Sequence, residues 1–445
     1  MSSDMIDQQR TTCAIGGIYT ALAINNVLPV LHCGPGCQLQ AAAVLASTNG
    51  AQNAFPYLES IIPCTDFGEA DVVFGGTERL KKIIETSLQA YKTDMVIAVS
   101  GCTAEIVGDD IEEVARSFAD SDIPVLYAEA AGFRGNNLYG HTQILKAIIE
   151  QYLQPSDHIT PRQVNVWGIV PFYDPFWSGT LEEIEKMLTA VGLKPNIIYG
   201  LGKGIENVRK IPEGEFNLLL SPWVDLEIVQ ELERRFQTPF FHYPALPVGP
   251  TETARFLHEL ADYADLDKET VEKYISQNEE RYYYYLNRVI AWVYGCRTLP
   301  KKFIINSSAT AALSLHRYLV NDLGLLPDRI YISENVPEVY HEKVREYFND
   351  VELENEPIEV IFTDDGGMAA VEIQQREFYE GSVFMFGSVW DNPFCQNLHM
   401  PFLPVSAPHG DNAIGAKHYF GYSGGINLFS DYYATIANMG MVTHP

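Results

Sequence analysis

The side chains with the most distinctive chemistry in this sequence are its seven cysteines, five of which fall within the first 102 residues. Three of the five stand beside glycines: Cys13 in C-A-I-G-G, Cys37 at the end of L-H-C-G-P-G-C, and Cys102 in S-G-C-T-A-E. An odd number of cysteines in a long chain does not indicate a disulfide framework. The concentration of thiols at one end instead favours a metal site or a thiol site there.

All three glycine-flanked cysteines lie at predicted junctions between strands and helices. In open parallel sheets, binding sites form beyond the carboxyl ends of the strands, and glycine lets backbone N–H groups approach an anionic centre closely. The sulfides and thiolates of an iron–sulfur cluster accept hydrogen bonds from such groups. The separations between Cys13, Cys37 and Cys102 are too long for a zinc knuckle or a compact ferredoxin motif. The fold itself would therefore have to bring these residues together.

The residues alone leave several interpretations of these cysteines open. Each could be a small buried hydrophobic side chain, which is a common role for a free cysteine. As cluster ligands, three thiolates are one fewer than the usual four. Either a residue of another type completes the site, or the site lies at an interface and a partner completes it. Cys33, one helical turn from Cys37, could touch a cluster, but we predict a spare buried thiol there and a packing role for Cys64.

The elements that position these residues follow from the hydrophobic pattern. Short apolar runs rich in valine and isoleucine alternate with amphipathic stretches along the whole chain. Runs typical of buried strands cover residues 95–100, 123–127, 164–170, 302–306 and 383–386. This alternation predicts an α/β fold with parallel sheets flanked by helices. Breaks in the pattern predict three Rossmann-like domains, over residues 1–160, 161–295 and 296–445.

Composition excludes several classes of function. The net charge of −28 argues against nucleic acid and anionic membranes as partners, because both require basic patches. The polar N-terminus lacks the apolar segment of a signal peptide, and no run of 18 apolar residues is present, so we expect a cytoplasmic location. There is no Walker motif, so we do not expect the chain itself to bind ATP. No Ser–His–Asp or H-E-x-x-H pattern is present either.

Four segments, in this order and spacing, resemble the nitrogenase component 1 family. They are C-A-I-G-G, L-P-V-L-H-C-G-P-G-C, I-P-C-T-D-F-G-E-A-D-V-V-F-G-G and V-S-G-C-T-A-E-I-V-G-D-D, and weaker similarity continues to L-P-V-S-A-P-H-G and G-Y-S-G-G-I-N-L-F. The resemblance implies that Cys13, Cys37 and Cys102 bind a P-cluster, [8Fe-7S], shared across a subunit interface. It accounts for the three cysteines, because the partner contributes three more. The glycines expected to give the cluster room are Gly16, Gly34, Gly36 and Gly101.

The resemblance is closer to the β-like (K-type) subunit of the family than to the α-like one. Ser221, in F-N-L-L-L-S-P-W, stands where the α subunit holds its active-site cofactor through a cysteine, and residues 244–257 look β-like. His409 lies where the cofactor histidine would be sought. Without a cysteine partner, we predict a structural or interface role for it. Residues 132–135 and 140–141 are more α-like, so the chain is not a close copy of the nitrogen-fixing β subunit.

The family resemblance also implies partners and a reaction. It predicts an α-like (D-type) subunit in an α2β2 heterotetramer, an ATP-dependent iron protein homodimer that supplies electrons, and an iron-based active-site cofactor in the α-like partner. The expected substrates are methylthio-alkanes or dinitrogen. Tetrapyrrole reductases of the family are expected to be less similar, because they use smaller clusters with different ligand sets. The alternatives are a cofactor-assembly scaffold, which would be expected to lose some ligands, and a cluster-free α/β binding protein.

Overall fold

The computed structural model describes residues 6–48, 62–296, 299–351, 358–378, 382–410 and 414–439. The strands named below form three sheets of three, four and five strands, and every pairing between them is parallel. Helices follow most of the strands. The predicted α/β fold with parallel sheets flanked by helices is therefore confirmed.

The first sheet contains the strands nearest to the cysteines, in the order β1-β2-β3. Its strands are β1 (Val27–His32), β2 (Met95–Ser100) and β3 (Val125–Glu129). The helices of this part are α1 (Ile18–Ala23), α2 (Pro35–Thr48), α3 (Glu69–Phe74), α4 (Thr77–Ala90), α5 (Cys102–Val107), α6 (Ile111–Arg116) and α7 (Asn137–Ala147). Every residue of β1 and β2 is buried, as expected for parallel strands covered on both faces.

The second sheet has the order β5-β4-β6-β7. Its strands are β4 (Gln163–Trp167), β5 (Lys194–Asn196), β6 (Phe216–Leu220) and β7 (Phe240–Tyr243). The helices here are α8 (Trp177–Ala190), α9 (Ile205–Arg209), α10 (Leu226–Phe236), α11 (Gly249–Tyr263) and α12 (Lys268–Cys296). Tyr282 is fully buried in α12, whereas the next three tyrosines are about half exposed.

The third sheet has the order β10-β9-β8-β11-β12. Its strands are β8 (Lys302–Ser307), β9 (Leu326–Ile332), β10 (Val360–Phe362), β11 (Val383–Gly387) and β12 (Phe402–Pro404). The helices are α13 (Ala309–Asn321), α14 (Glu338–Asn349), α15 (Met368–Gln374), α16 (Asn392–Asn397) and α17 (Gly421–Asn438). The three sheets lie within the three predicted domain ranges, and the domain boundaries themselves stay predictions.

Two of the predicted strands differ from the structure for local reasons. The strand predicted at 123–127 is observed at Val125–Glu129. Pro124 has no N–H group and contributes only its carbonyl, which accepts from the amide of Val96 at 2.9 Å. The strand predicted at 164–170 ends at Trp167, because Gly168 turns the chain with a φ of 98°.

A hydrophobic cluster joins the three sheets, since it includes buried residues from each of them, among them Ile97, Leu218 and Ile305. No helix in the described part of the chain is both long and apolar enough to cross a membrane.

The N-terminal segment is anchored to the third sheet. The guanidinium of Arg10 donates to both carboxylate oxygens of Asp391, at 2.8 and 3.0 Å, and to the carbonyl of Gly366. Both side chains of this ion pair are almost completely buried. The backbone amides of Asp7 and Gln8 donate to the carboxylate of Asp365. These contacts fix the chain three residues before Cys13.

We expect Asp391→Ala to destabilise the protein by about 3–5 kcal/mol, because it leaves the charge of Arg10 buried without its carboxylate partner. Guanidinium denaturation followed by circular dichroism measures this loss. The control is Glu206→Ala, which removes an exposed ion pair with Arg209 and should cost less than about 1 kcal/mol. Equal effects of the two substitutions would contradict a stabilising role for the Arg10–Asp391 pair.

Candidate functional site

The carboxyl ends of the first sheet's strands are level with one another. The register pairs His32 of β1 with Ser100 of β2, and Ser100 with Glu129 of β3. Hydrogen bonds continue just beyond the strands, from the Gly101 amide to the His32 carbonyl at 3.0 Å and from the Ala130 amide to the Ser100 carbonyl at 3.3 Å. The segments that carry Cys37 and Cys102 therefore leave the sheet side by side.

Cys13 and Cys102 meet at Gly132. The amide of Gly132 donates to Sγ of Cys102 at 3.1 Å. A Cβ atom added to Gly132 would lie 2.6 Å from Sγ of Cys13 and 3.5 Å from Sγ of Cys102. Only glycine fits here without displacing a sulfur. Sequence reasoning missed Gly132 as a site residue, although its place at the start of the glycine-containing segment G-F-R-G is a signal that could have found it.

Cys37 is the third member of this group and lies in the first turn of α2. Burial raises the pKa of Cys13, and the negative charges of Cys102 and Cys37 raise it further. Cys37 follows the end of β1, which is level with the end of β2 that precedes Cys102. All three cysteines are half-buried. The structure therefore brings the predicted site residues together at one end of the first sheet.

Two further cysteines adjoin the group. Cys33 is fully buried, and its Sγ lies 3.9 Å from Sγ of Cys64. A hydrogen bond from the Cys33 thiol lowers the pKa of Cys37 to about 6, against the opposing effect of burial. The pKa of Cys64 is lowered for the same reason. Cys33 is buried as expected, and both residues contact sulfur in addition to the hydrophobic core.

The lowered pKa of Cys37 predicts its reactivity in the metal-free chain. Because thiolates react and thiols do not, we expect alkylation of Cys37 by iodoacetamide to reach half its maximal rate near pH 6. In Cys33→Ala, which lacks the hydrogen-bond donor, the midpoint should rise toward the ordinary value of about 8.5. Peptide mass spectrometry across a pH series measures both. An unchanged midpoint in Cys33→Ala would contradict the assigned cause.

The four glycines expected to give a cluster room divide into two pairs. A Cβ on Gly34 or Gly36 would have no atom of the described residues within 4 Å. A Cβ on Gly16 would lie 2.8 Å from Oγ1 of Thr12, and one on Gly101 would lie 2.7 Å from Cβ of Cys33. The second pair is thus glycine because neighbouring protein atoms approach closely, which differs from the prediction.

A recess of about 590 Å³ opens beside Cys13. Residues that line it include Thr12, Gly132, Arg134 and Trp390. Arg134 forms ion pairs with Glu105 and Glu129 at the end of the sheet. Arg134 is therefore already paired with carboxylates and is not a free cation for an anionic group in the recess.

Ser221 follows β6 in the second sheet's region, and His409 follows β12 in the third sheet's region, so neither belongs to the cysteine group. His409 is buried and packs edge-on against Phe176, and burial lowers its pKa to about 4, so it is neutral at physiological pH. Oγ of Ser221 accepts from the amide of Val224 at 3.0 Å and lies 3.1 Å from Oγ1 of Thr310. Both side chains are held by contacts within the protein.

A protein-family sequence model described as Nitrogenase component 1 type Oxidoreductase matches residues 12–437 of this chain. This chain belongs to the nitrogenase component 1 family of oxidoreductases. Its fold agrees, because a solved structure of nitrogenase Cp1 at pH 6.5 superimposes with a TM-score of 0.81 at 17% identity, over 98% of this chain and 94% of that chain. The family predicted from the four cysteine- and glycine-containing segments is confirmed.

The curated relatives of this nitrogenase component 1 chain include B subunits of the light-independent protochlorophyllide reductase. That of Angiopteris evecta is 25% identical and covers 83% of this chain and 72% of its own length. Those of Trichormus variabilis (strain ATCC 29413 / PCC 7937) and Chlorella vulgaris are 24% and 25% identical and cover 97% of this chain and 83% of their own length. The expectation that tetrapyrrole reductases would be the less similar members finds no support in these relatives.

Proposed function

We propose that this chain is the β-like subunit of the catalytic component of a nitrogenase-like reductase. In this proposal Cys13, Cys37 and Cys102 bind an iron–sulfur cluster of the P-cluster type, [8Fe-7S]. The observation that carries it is the meeting of Cys13 and Cys102 around Gly132, with Cys37 just beyond the neighbouring strand β1, at the carboxyl end of a parallel sheet. When bound, such a cluster accepts and passes on single electrons.

The chemistry of the donor set fits an anionic cluster. Thiolates are the usual ligands of iron–sulfur clusters. The amide of Gly132 already donates to Sγ of Cys102, which is the kind of hydrogen bond that tunes a ligating sulfur. Cys37 lies in the first turn of α2, a helix of 14 residues whose N-terminal dipole favours negative charge. The role of this chain is therefore to hold the three sulfurs in fixed positions, where they would bind iron as thiolates.

We propose that the cluster is shared with an α-like (D-type) partner in an α2β2 heterotetramer. In the described ranges no group of three or more His, Cys, Asp or Glu side chains is close enough to hold a single metal ion. Large apolar side chains near the cysteines are exposed: Leu39 by 58%, Phe133 by 61% and Ile106 by 75%. Exposed apolar groups of this kind are typical of protein interfaces. They support a subunit that covers this face.

In the proposed enzyme, an ATP-dependent iron protein homodimer delivers electrons to the cluster. A cluster held by Cys13, Cys37 and Cys102 would relay those electrons toward an iron-based cofactor in the α-like partner, for the reduction of methylthio-alkanes or dinitrogen. A cofactor-assembly scaffold is the alternative. It is less well supported, because a scaffold would be expected to lose cluster ligands, and all three cysteines are retained in one place.

A tetrapyrrole reductase is a second candidate, favoured by the names of the relatives at 24–25% identity. The candidates are separated by turnover of the complex reconstituted with its partner subunit and iron protein. Dimethyl sulfide, dinitrogen and protochlorophyllide are supplied separately with ATP. Reduction of protochlorophyllide alone would replace the first proposal with the second.

We expect Cys37→Ala to remove most of the iron bound at this site, because a cluster ligand is lost. Iron analysis and EPR of the anaerobically purified complex measure the effect. Cys395→Ala is the matched control, since Cys395 is a free buried cysteine of the third sheet region, remote from the group. Full iron content and an unchanged EPR spectrum in Cys37→Ala would show that the ligand assignment is wrong.

A further inference from the structure

The two cysteines outside the proposed ligand set form a pair of their own. Sγ of Cys33 and Sγ of Cys64 are 3.9 Å apart. Cys33 is fully buried, whereas Cys64 is half-buried. Both thiols are free. Two cysteines whose sulfurs lie this close need only a small further approach to reach the bond length of a disulfide, about 2.05 Å.

The backbone holds these two sulfurs against each other. Cys64 forms a parallel bridge with Leu31, next to the end of β1. The amide of Thr65 donates to the Leu31 carbonyl at 2.9 Å, and the amide of Phe67 donates to the Cys33 carbonyl at 3.1 Å. The segment around Cys64 therefore runs along the end of β1 as an extra strand-like edge. The thiol pair is built into the fold and is not a chance contact of two mobile loops.

Side-chain contacts strengthen the same arrangement. Oγ1 of Thr65 accepts from the Cys33 amide at 3.1 Å and donates to the Cys33 carbonyl at 3.3 Å. The Asp66 amide donates to Sγ of Cys64 at 3.4 Å. Sγ of Cys64 lies 3.4 Å from the Cys33 carbonyl oxygen. Each cysteine is thus fixed by groups attached to the other one's segment.

We propose that Cys33 and Cys64 are an oxidisable thiol pair that closes to a disulfide beside the cysteine site. The oxidant is a low-molecular-weight disulfide such as oxidised glutathione. The partly exposed sulfur of Cys64 attacks it, its S–S bond breaks, and one thiol leaves with the proton of Cys64. The sulfur of Cys33 then attacks the mixed disulfide at Cys64, and the second thiol leaves with the proton of Cys33. Two electrons pass from the pair to the oxidant.

Formation of the Cys33–Cys64 disulfide would change the surroundings of Cys37. The disulfide would remove the thiol hydrogen that Cys33 shares with the sulfur of Cys37, and it would tie the Cys64 segment covalently to the end of β1. Cys37 is the competing partner for Cys33, because it lies four residues further along the chain and its sulfur is hydrogen-bonded to the Cys33 thiol. The pair itself does not depend on a bound cluster, so its test stands apart from the proposed function.

The experiment uses the full chain, purified anaerobically and incubated with oxidised glutathione. Remaining thiols are blocked with N-ethylmaleimide, and the protein is digested after glutamate. This protease cuts after Glu59 and Glu69 and separates the fragment that contains Cys33 from the fragment of residues 60–69, which contains Cys64. We expect a cross-link between the two fragments by mass spectrometry and the loss of two alkylated thiols. Reduction should reverse both.

Variants assign the cross-link to its residues. It should disappear in Cys33→Ser and in Cys64→Ser, and it should persist in Cys37→Ser and in the control Cys395→Ser. Persistence in Cys33→Ser would assign the cross-link to Cys37 or Cys13, which lie in the same fragment as Cys33, and would overturn the proposal. Glutathione attached to Cys64 without a cross-link in the wild-type chain would also overturn it. If Cys33→Ser fails to fold, Cys37→Ser keeps the test valid, because loss of the cross-link in that variant would assign it to Cys37 and overturn the proposal.

Discussion

The parallel register of β1, β2 and β3 is the constraint on which the rest of the site depends. It sets His32, Ser100 and Glu129 level with one another, so the segments after these residues leave the sheet at one edge. A slip of one residue would turn every side chain of a strand to the opposite face. Because every residue of β1 and β2 is buried, such a slip would have to repack the side chains on both faces of the sheet. The register alone brings the segments that carry Cys37 and Cys102 to the same edge, without any contact between the cysteines.

Cys13 reaches the same edge by a different route, since it precedes the first strand. On one side, Arg10 anchors its segment to Asp391 of the third sheet's region. On the other side, the Asn137 amide donates to the Thr12 carbonyl and the Asn137 side-chain oxygen accepts from the Thr12 amide, both at 2.9 Å. Helix α7 also packs closely here, because a Cβ on Gly140 would lie only 1.8 Å from the Ala14 carbonyl oxygen. Two parts of the chain that are distant in sequence therefore determine the position of one sulfur.

Much of the fold and part of the site could be predicted from the sequence, for physical reasons. Buried parallel strands read as continuous apolar runs, and the junction glycines beside Cys13, Cys37 and Cys102 indicated where sulfurs could gather. Gly132 and the Cys33–Cys64 pair were not predicted, because their contacts arise only when separate segments meet in three dimensions. The Arg10–Asp391 pair joins residues at opposite ends of the chain, and no local pattern reports it. The similarity to protochlorophyllide reductase B subunits was not predicted either, because at 24–25% identity it is spread over 83–97% of the chain, well beyond the quoted motifs.

The central claim is that Cys13, Cys37 and Cys102 bind iron together. Anomalous diffraction at the iron edge, from anaerobic crystals of the chain with its partner subunit, tests this most directly. We predict iron peaks within bonding distance of all three sulfurs, in a cluster that continues into the partner. Iron peaks elsewhere, with the three sulfurs free of metal, would contradict the account.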